Sequence, residues 1–259
     1  MAAPTPELGT FVRLCMDGLW YAQMHQFAQP SAELCELLQE LAYTNHTPIN
    51  DEGSQCMEII NLMPQHKKRA ARVVADAFFD YPSFIHYFPD IKRRIRWLVW
   101  YMECVIKSAL TYGEAWVTED FSGVLLFLPP SHTRLSDWDF VRCGFLILPL
   151  AIGLRRYPGV DECENHVADA HEKLLAGRPH YYLWSLTVDP TKQRTGSGKA
   201  LLDSFLAKTD SESLPVYLET HKQENVTYYE RYGFKCILAE TIPKHNLKFW
   251  CLLREPGGV

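Results

Sequence analysis

Apolar positions change period along this chain, and each change marks an element. Leu34, Leu37, Leu38 and Leu41 fall on one helical face behind the start signal Pro30-Ser31. The polar stretch 45–54, with Pro48 and Gly53, reads as a linker. A strand-like run follows at 57–62. Between residues 64 and 79, Ala70, Val73, Val74, Ala77 and Phe78 recur at helical spacing, and a second helix is predicted over 91–110. Residues 114–118 and 124–128 read as neighbouring strands around a turn at Phe121-Ser122-Gly123.

The second half is organised differently. Residues 131–179 interrupt the strands and hold a helical stretch at 161–175 and an apolar run at 144–154. That run is about half a bilayer span and contains Pro149, so it predicts a buried helix rather than a membrane segment. Insertions between sheet strands commonly shape binding pockets, which assigns ligand specificity partly to 131–179. Strand-like runs then end at Val188-Asp189-Pro190 and begin at Val216, and 236–242 and 247–253 form an expected antiparallel pair. Residues 1–56 read as a helical N-terminal extension and linker, and residues 57–259 as the main domain.

Composition narrows the function. At 259 residues and 47% apolar, the chain can bury a sizeable core. A net charge of −5 speaks against a nucleic-acid binder, which needs a dominant basic face. The basic runs His66-Lys67-Lys68-Arg69 and Lys92-Arg93-Arg94 with Arg96 read as solvated helix faces. Eight cysteines at irregular spacings, without C-x-x-C, read as free thiols of a reducing compartment. With no basic, apolar leader after Met1, the expectation is a cytoplasmic protein without a membrane anchor or a metal.

Candidate chemistry concentrates in Gln193-Arg194-Thr195-Gly196-Ser197-Gly198, a glycine-rich turn between a strand and a helix. Such a turn lets the backbone approach a phosphate and aims the free amides of the first helical turn at it. A P-loop needs a glycine where Gln193 stands and a hydroxyl where Ala200 stands. A dinucleotide fingerprint needs a third glycine where Leu201 stands.

The pattern that fits is Q-x-x-G-x-G. Together with Val188-Asp189-Pro190 before it and Asn225-Val226-Thr227-Tyr228-Tyr229-Glu230-Arg231-Tyr232-Gly233-Phe234 after it, it resembles the Gcn5-related N-acetyltransferase (GNAT) superfamily. The resemblance is close from about residue 181 to 235. It implies an α/β (α+β) fold: a mixed, mostly antiparallel twisted sheet, splayed between its fourth and fifth strands and flanked by helices. It also implies acetyl-CoA (coenzyme A), with the pantetheine arm filling the splay like an added strand. Leu186, Thr187 and Val188 would bond the arm, and residues Gln193, Arg194, Thr195, Gly196, Ser197, Gly198 and Lys199 the pyrophosphate. Asn225 would bond the arm or cap its helix. Tyr229 matches the family's general acid, with Tyr228 and Tyr232 as adjacent packing aromatics. Glu219 is the candidate base, unless it faces a structural partner such as His221; Glu114 is the runner-up.

The expected activity is acetyl transfer to a primary amine of a small molecule by direct attack. A protein or peptide acceptor, or a non-catalytic acyl-CoA sensor, are the alternatives, and a homodimer stays open.

Overall fold

The protein, described by a computed structural model, is defined over residues 57–258. The expectations for residues 1–56 lie outside the described residues. Its elements in order are β1 (Ile59–Asn61), α1 (Lys67–Ala77), α2 (Pro82–Tyr87), α3 (Ile91–Tyr112), β2 (Glu114–Thr118), β3 (Gly123–Leu128), α4 (Asp137–Cys143), α5 (Leu148–Ile152), α6 (Tyr157–Leu175), β4 (Tyr181–Val188), α7 (Ser197–Ser211), β5 (Val216–Thr220), α8 (Gln223–Glu230), β6 (Lys235–Ile242) and β7 (Leu247–Arg254).

The seven strands form one sheet in the order β1-β2-β3-β4-β5-β7-β6. All neighbours are antiparallel except β4 and β5. This is the expected mixed, mostly antiparallel sheet. Strand β3, Gly-Val-Leu-Leu-Phe-Leu, is buried throughout because helices cover both of its faces. On one face Val74 of α1 and Leu98, Met102 and Ile106 of α3 pack on Val117 and Leu126. On the other, Leu201, Leu202 and Phe205 of α7 pack on Leu125, Phe127 and Leu218. Each such side chain contributes about 1.5–3 kcal/mol of burial.

One irregularity organises the site. Along the β3–β4 ladder, Leu126 pairs with Ser185 and Phe127 with Leu183, so Trp184 is an extra, unpaired residue. A bulge bends its strand and increases the local twist. Strand β4 pairs with β5 only at Tyr181↔Val216 and Tyr182↔Tyr217, just before the bulge. Beyond it the two parallel strands diverge, giving the expected splay.

Two readings need correction. The run 144–154 is not one buried helix: Gly144 (φ 116°) and Gly153 (φ 98°) bound a short helical turn and the five-residue α5, and Leu146, Ile147, Leu150 and Leu154 are exposed. Arg94 is not part of a wet face. It is buried, and its guanidinium donates to the carbonyls of Phe88 (2.8 Å) and Phe79 (3.2 Å), tying the loop before α3.

Gly233 ends the turn after α8 at φ 84°, and a β-carbon there would lie 2.4 Å from the carbonyl oxygen of Gly258. Both atoms belong to backbone, so little can yield. Gly233→Ala is therefore expected to lower the unfolding free energy by about 1–3 kcal/mol, measured by chemical denaturation.

Candidate active site

The glycine-rich turn leaves β4 through Asp189, whose carboxylate accepts from the Thr191 amide at 2.8 Å. Arg194 (φ 66°) and Gly196 (φ 95°) both adopt left-handed backbone, and Gly196 caps α7. The first helical bond runs from the Ala200 amide to the Gly196 carbonyl at 2.9 Å. None of the amides of residues 193–199 donates to another described group. Left-handed backbone at Arg194 and Gly196, just before a helix N-terminus, is a geometry suited to an anion. A β-carbon at Gly198 would sit 3.1 Å from Val188 Cγ2, so the half-buried Val188 side chain would have to shift slightly to admit one.

Side chains behind the turn hold it in shape. Ser197 is buried, and its Oγ lies 2.7 Å from Ser122 Oγ and 2.9 Å from Thr195 Oγ1. Ser122 Oγ in turn lies 3.1 Å from Thr118 Oγ1. Asp120 accepts from Thr118 Oγ1, the Ser122 amide and Lys192 Nζ at 2.8–2.9 Å. Partial burial works against its charge, but those bonds win and hold its carboxyl well below the usual range. The hydroxyls of Ser197 and Thr195 therefore point into the scaffold, leaving their amides for a ligand. Gln193 and Arg194 are exposed, while Lys199 is ion-paired with Asp203 one turn along α7.

The splay opens beside this turn. Leu186 and Val188 are half-buried, Thr187 is buried and donates to the Val124 carbonyl (3.3 Å), and Ser185 Oγ is buried with no partner. Across the gap, Asn225 does not cap α8; Lys222 is the cap residue, and Asn225 Nδ2 donates to Thr220 Oγ1 at 2.9 Å, tying α8 to the end of β5. The Tyr229 ring packs against Tyr228 and Phe234. Burial, then the nearby Tyr81, pushes its hydroxyl pKa up, and the hydroxyl makes no hydrogen bond to a described residue.

Glu219 sits on β5 facing α6. Burial pushes its carboxyl up to about 7, the Glu164 charge adding to the rise and the Tyr182 and Tyr217 hydroxyls opposing it. Its neighbour is not His221, which turns away to the Lys248 carbonyl (2.7 Å), but His171 of α6, whose Nδ1 lies 3.8 Å from Glu219 Oε1. Glu164, two turns earlier on α6, is solvent-accessible, and desolvation by the surrounding protein raises its pKa. Tyr87 and Tyr101 stand near it. Glu114 lies elsewhere, bonded to Trp116 Nε1 at 3.0 Å, and joins none of this.

Comparison with known proteins agrees with this geometry. Residues 168–250 match the family model of the acetyltransferase (GNAT) domain. An uncharacterized N-acetyltransferase of Schizosaccharomyces pombe is 25% identical over 199 residues, covering 73% of this chain and 79% of its own. Residues 168–250 thus carry a GNAT acetyltransferase domain, and the chain is similar to an N-acetyltransferase over most of its length. Solved structures share the GNAT fold at lower identity. A Corynebacterium glutamicum protein described as histone acetyltransferase HPA2 and related acetyltransferase superposes with a TM-score of 0.53 at 16% identity, over 78% of this chain and 98% of that one. The apo form of an agmatine N-acetyltransferase variant gives 0.52 at 12%, over 77% and 99%.

Against the GNAT pattern, sequence reasoning missed the residues that tertiary contacts deliver. Tyr81 bonds Thr220 Oγ1 (2.9 Å) and the His221 amide (2.7 Å) at the end of β5, near both Glu219 and Tyr229 in charge terms. Glu164 and His171 share one face of α6, a spacing visible in the sequence, but only the fold brings them to Glu219. Among the described residues, His86, Cys163 and His245 are the group able to hold a metal, with ligand atoms within 4.8 Å of one another. Tetrahedral zinc with bonds of about 2.0–2.3 Å needs them nearer 3.5 Å apart, and Arg156 lines the same recess.

The hydroxyl network predicts a specific weakness. Ser122→Ala should cost about 1–2 kcal/mol in denaturant unfolding, as a buried bond is lost, and should weaken coenzyme A binding about three- to tenfold by calorimetry because the turn is less well held.

Proposed function

We propose that this GNAT protein transfers acetyl from acetyl-CoA to a primary amine of a small molecule, by direct attack. The observation that carries this reading is the turn 193–199, left-handed at Arg194 and Gly196 before a helix N-terminus, standing next to a gap where β4 and β5 have stopped pairing. The fit to coenzyme A rests on three features: an anion site for the diphosphate, unpaired strand edges for the amide-rich arm, and the orphaned hydroxyl of Ser185. Backbone groups of residues 186–188 and Asn225 would hold the arm. When bound, acetyl-CoA supplies an activated acetyl thioester.

The chain's own residues manage two protons. An amine arrives largely as ammonium and must lose a proton before it can attack. Glu219, held near neutral, is matched to take that proton at its carboxylate. Tyr229 keeps its proton, its pKa raised by burial, and is suited to donate from its hydroxyl to the departing sulfur. A backbone amide of Leu186 or Val188 would stabilise charge developing on the acyl oxygen. Glu164 and Glu219, flanked by Tyr87, Tyr101 and Tyr182, favour a cationic amine over a neutral or acidic acceptor.

Residues 57–259 are assigned the activity. Five described cysteines are free thiols, which supports a cytoplasmic site of action; no helix among the described residues is long and apolar enough to cross a membrane. The negative net charge supports small amines rather than nucleic acid as partners.

Release of free thiol from acetyl-CoA over a panel of small amines and peptides tests the reading; turnover of peptides alone would redirect it, and binding without turnover would end it. Tyr229→Phe is expected to lower kcat about 100-fold with KM nearly unchanged. The base acts deprotonated, so kcat/KM of the wild type should fall about tenfold per pH unit below about 7. In Glu219→Gln that dependence should vanish along with most of the activity.

A further inference from the structure

Beside the site lies a pair of buried histidines that the acetyl-transfer scheme does not use. His171 (α6) and His180 (just before β4) meet at 2.7 Å through their Nε2 atoms, and His180 Nδ1 lies 2.7 Å from the Arg178 carbonyl oxygen. The His171 ring stacks on Tyr217 of β5 at 4.1 Å, with its Nδ1 toward Glu219. Burial lowers both imidazoles, protonation of one ring would oppose protonation of the other, and Arg134 adds to the effect on His171, so both are neutral.

With both rings neutral, bonding rules assign the protons. A carbonyl only accepts, so His180 must carry its proton on Nδ1, which leaves its Nε2 bare. A bond between two Nε2 atoms needs one proton, and His171 must supply it. A neutral His171 then has no proton on Nδ1, so a lone pair faces Glu219. The contact at 3.8 Å is thus no ion pair. A lone pair there repels a carboxylate and accommodates a carboxylic acid.

We propose that His171 and His180 form a tautomer-locked pair, fixed by the Arg178 carbonyl, that sets the basicity of Glu219 by presenting it with an unprotonated ring nitrogen. They are positioning residues for the base, and the idea rests on Glu219 being that base. The other groups facing Glu219 are Glu164 of α6, Tyr182 of β4, Tyr217 of β5, Cys251 of β7 and, at longer range, Tyr81. None of them has a tautomer to lock.

The test uses the full chain and reads Glu219 directly, through the infrared carbonyl band of its protonated carboxyl, identified by its loss in Glu219→Gln. His180→Leu removes the acceptor, so His171 can move its proton to Nδ1 and donate to the carboxylate. The midpoint of the Glu219 titration should then drop by about one pH unit. His180→Gln offers an amide oxygen to His171 and an amide N–H to the Arg178 carbonyl, so it should keep the wild-type midpoint. In a His171→Phe background, which preserves stacking on Tyr217, His180→Leu should produce no further shift. An unmoved midpoint in His180→Leu, an equal shift in His180→Gln, or a persisting shift in the His171→Phe background would each overturn the lock. The limb of the kcat/KM profile is read in parallel. If the infrared midpoint moves as expected and the kinetic limb does not follow, the lock stands and the role of Glu219 as base falls.

Discussion

Two backbone pairings join β4 to β5, at Tyr181 and Tyr182, and then the strands part. Backbone groups inside a protein must find partners, so a gap between central strands is tolerable only where something else can fill it. Here the divergence follows from one extra residue, Trp184, whose bulge turns β4 away while β3 continues to hold its other edge. Helices α1 and α3 on one face and α7 on the other brace the diverging strands, so the opening is built into a rigid core. Everything assigned to acyl transfer is arranged around that opening.

The neighbouring turn applies the same physics to charge. Its backbone suits an anion because Arg194 and Gly196 are left-handed just before a helix N-terminus, and the shape survives because Thr118, Ser122, Ser197 and Thr195 share a buried hydroxyl chain behind it. Anion affinity at a helix N-terminus is modest for any one donor. Several donors fixed in advance act together, and the fixing is done by side chains that never reach the ligand.

Desolvation acts on two acidic groups of the candidate site. It raises the Glu219 carboxyl toward neutrality and lifts the Tyr229 hydroxyl above its usual range, which suits the opposite proton transfers proposed for them. Pushing acid and base in this way within one site is a general route to proton transfer in both directions. Helix α6, part of an insertion between β3 and β4, brings Glu164 and His171 toward Glu219. In the proposed scheme the cofactor side belongs to the sheet and α7, and the acceptor side largely to the insertion.

Much of this was legible in the residues. The strand and helix periods from residue 57 onward, the Gly-rich turn and the Tyr229 segment are local patterns, set by spacing and backbone freedom within a few positions. Local patterns also misled: Gly144, Pro149 and Gly153 each fit a helix boundary, but only packing revealed that the run between them stays half exposed, and Arg94 looks like its solvated neighbours until three loop carbonyls surround it. Ser122 and Ser197 are 75 residues apart, and Tyr81 and Thr220 are 139 apart. No period links such pairs, because their contact is decided by how helices pack on a twisted sheet. The chain itself thus determined which segments fold and where an anion could bind; tertiary packing decided which nitrogen of His171 meets Glu219, since a proton's position in a buried chain of bonds depends on every partner along it.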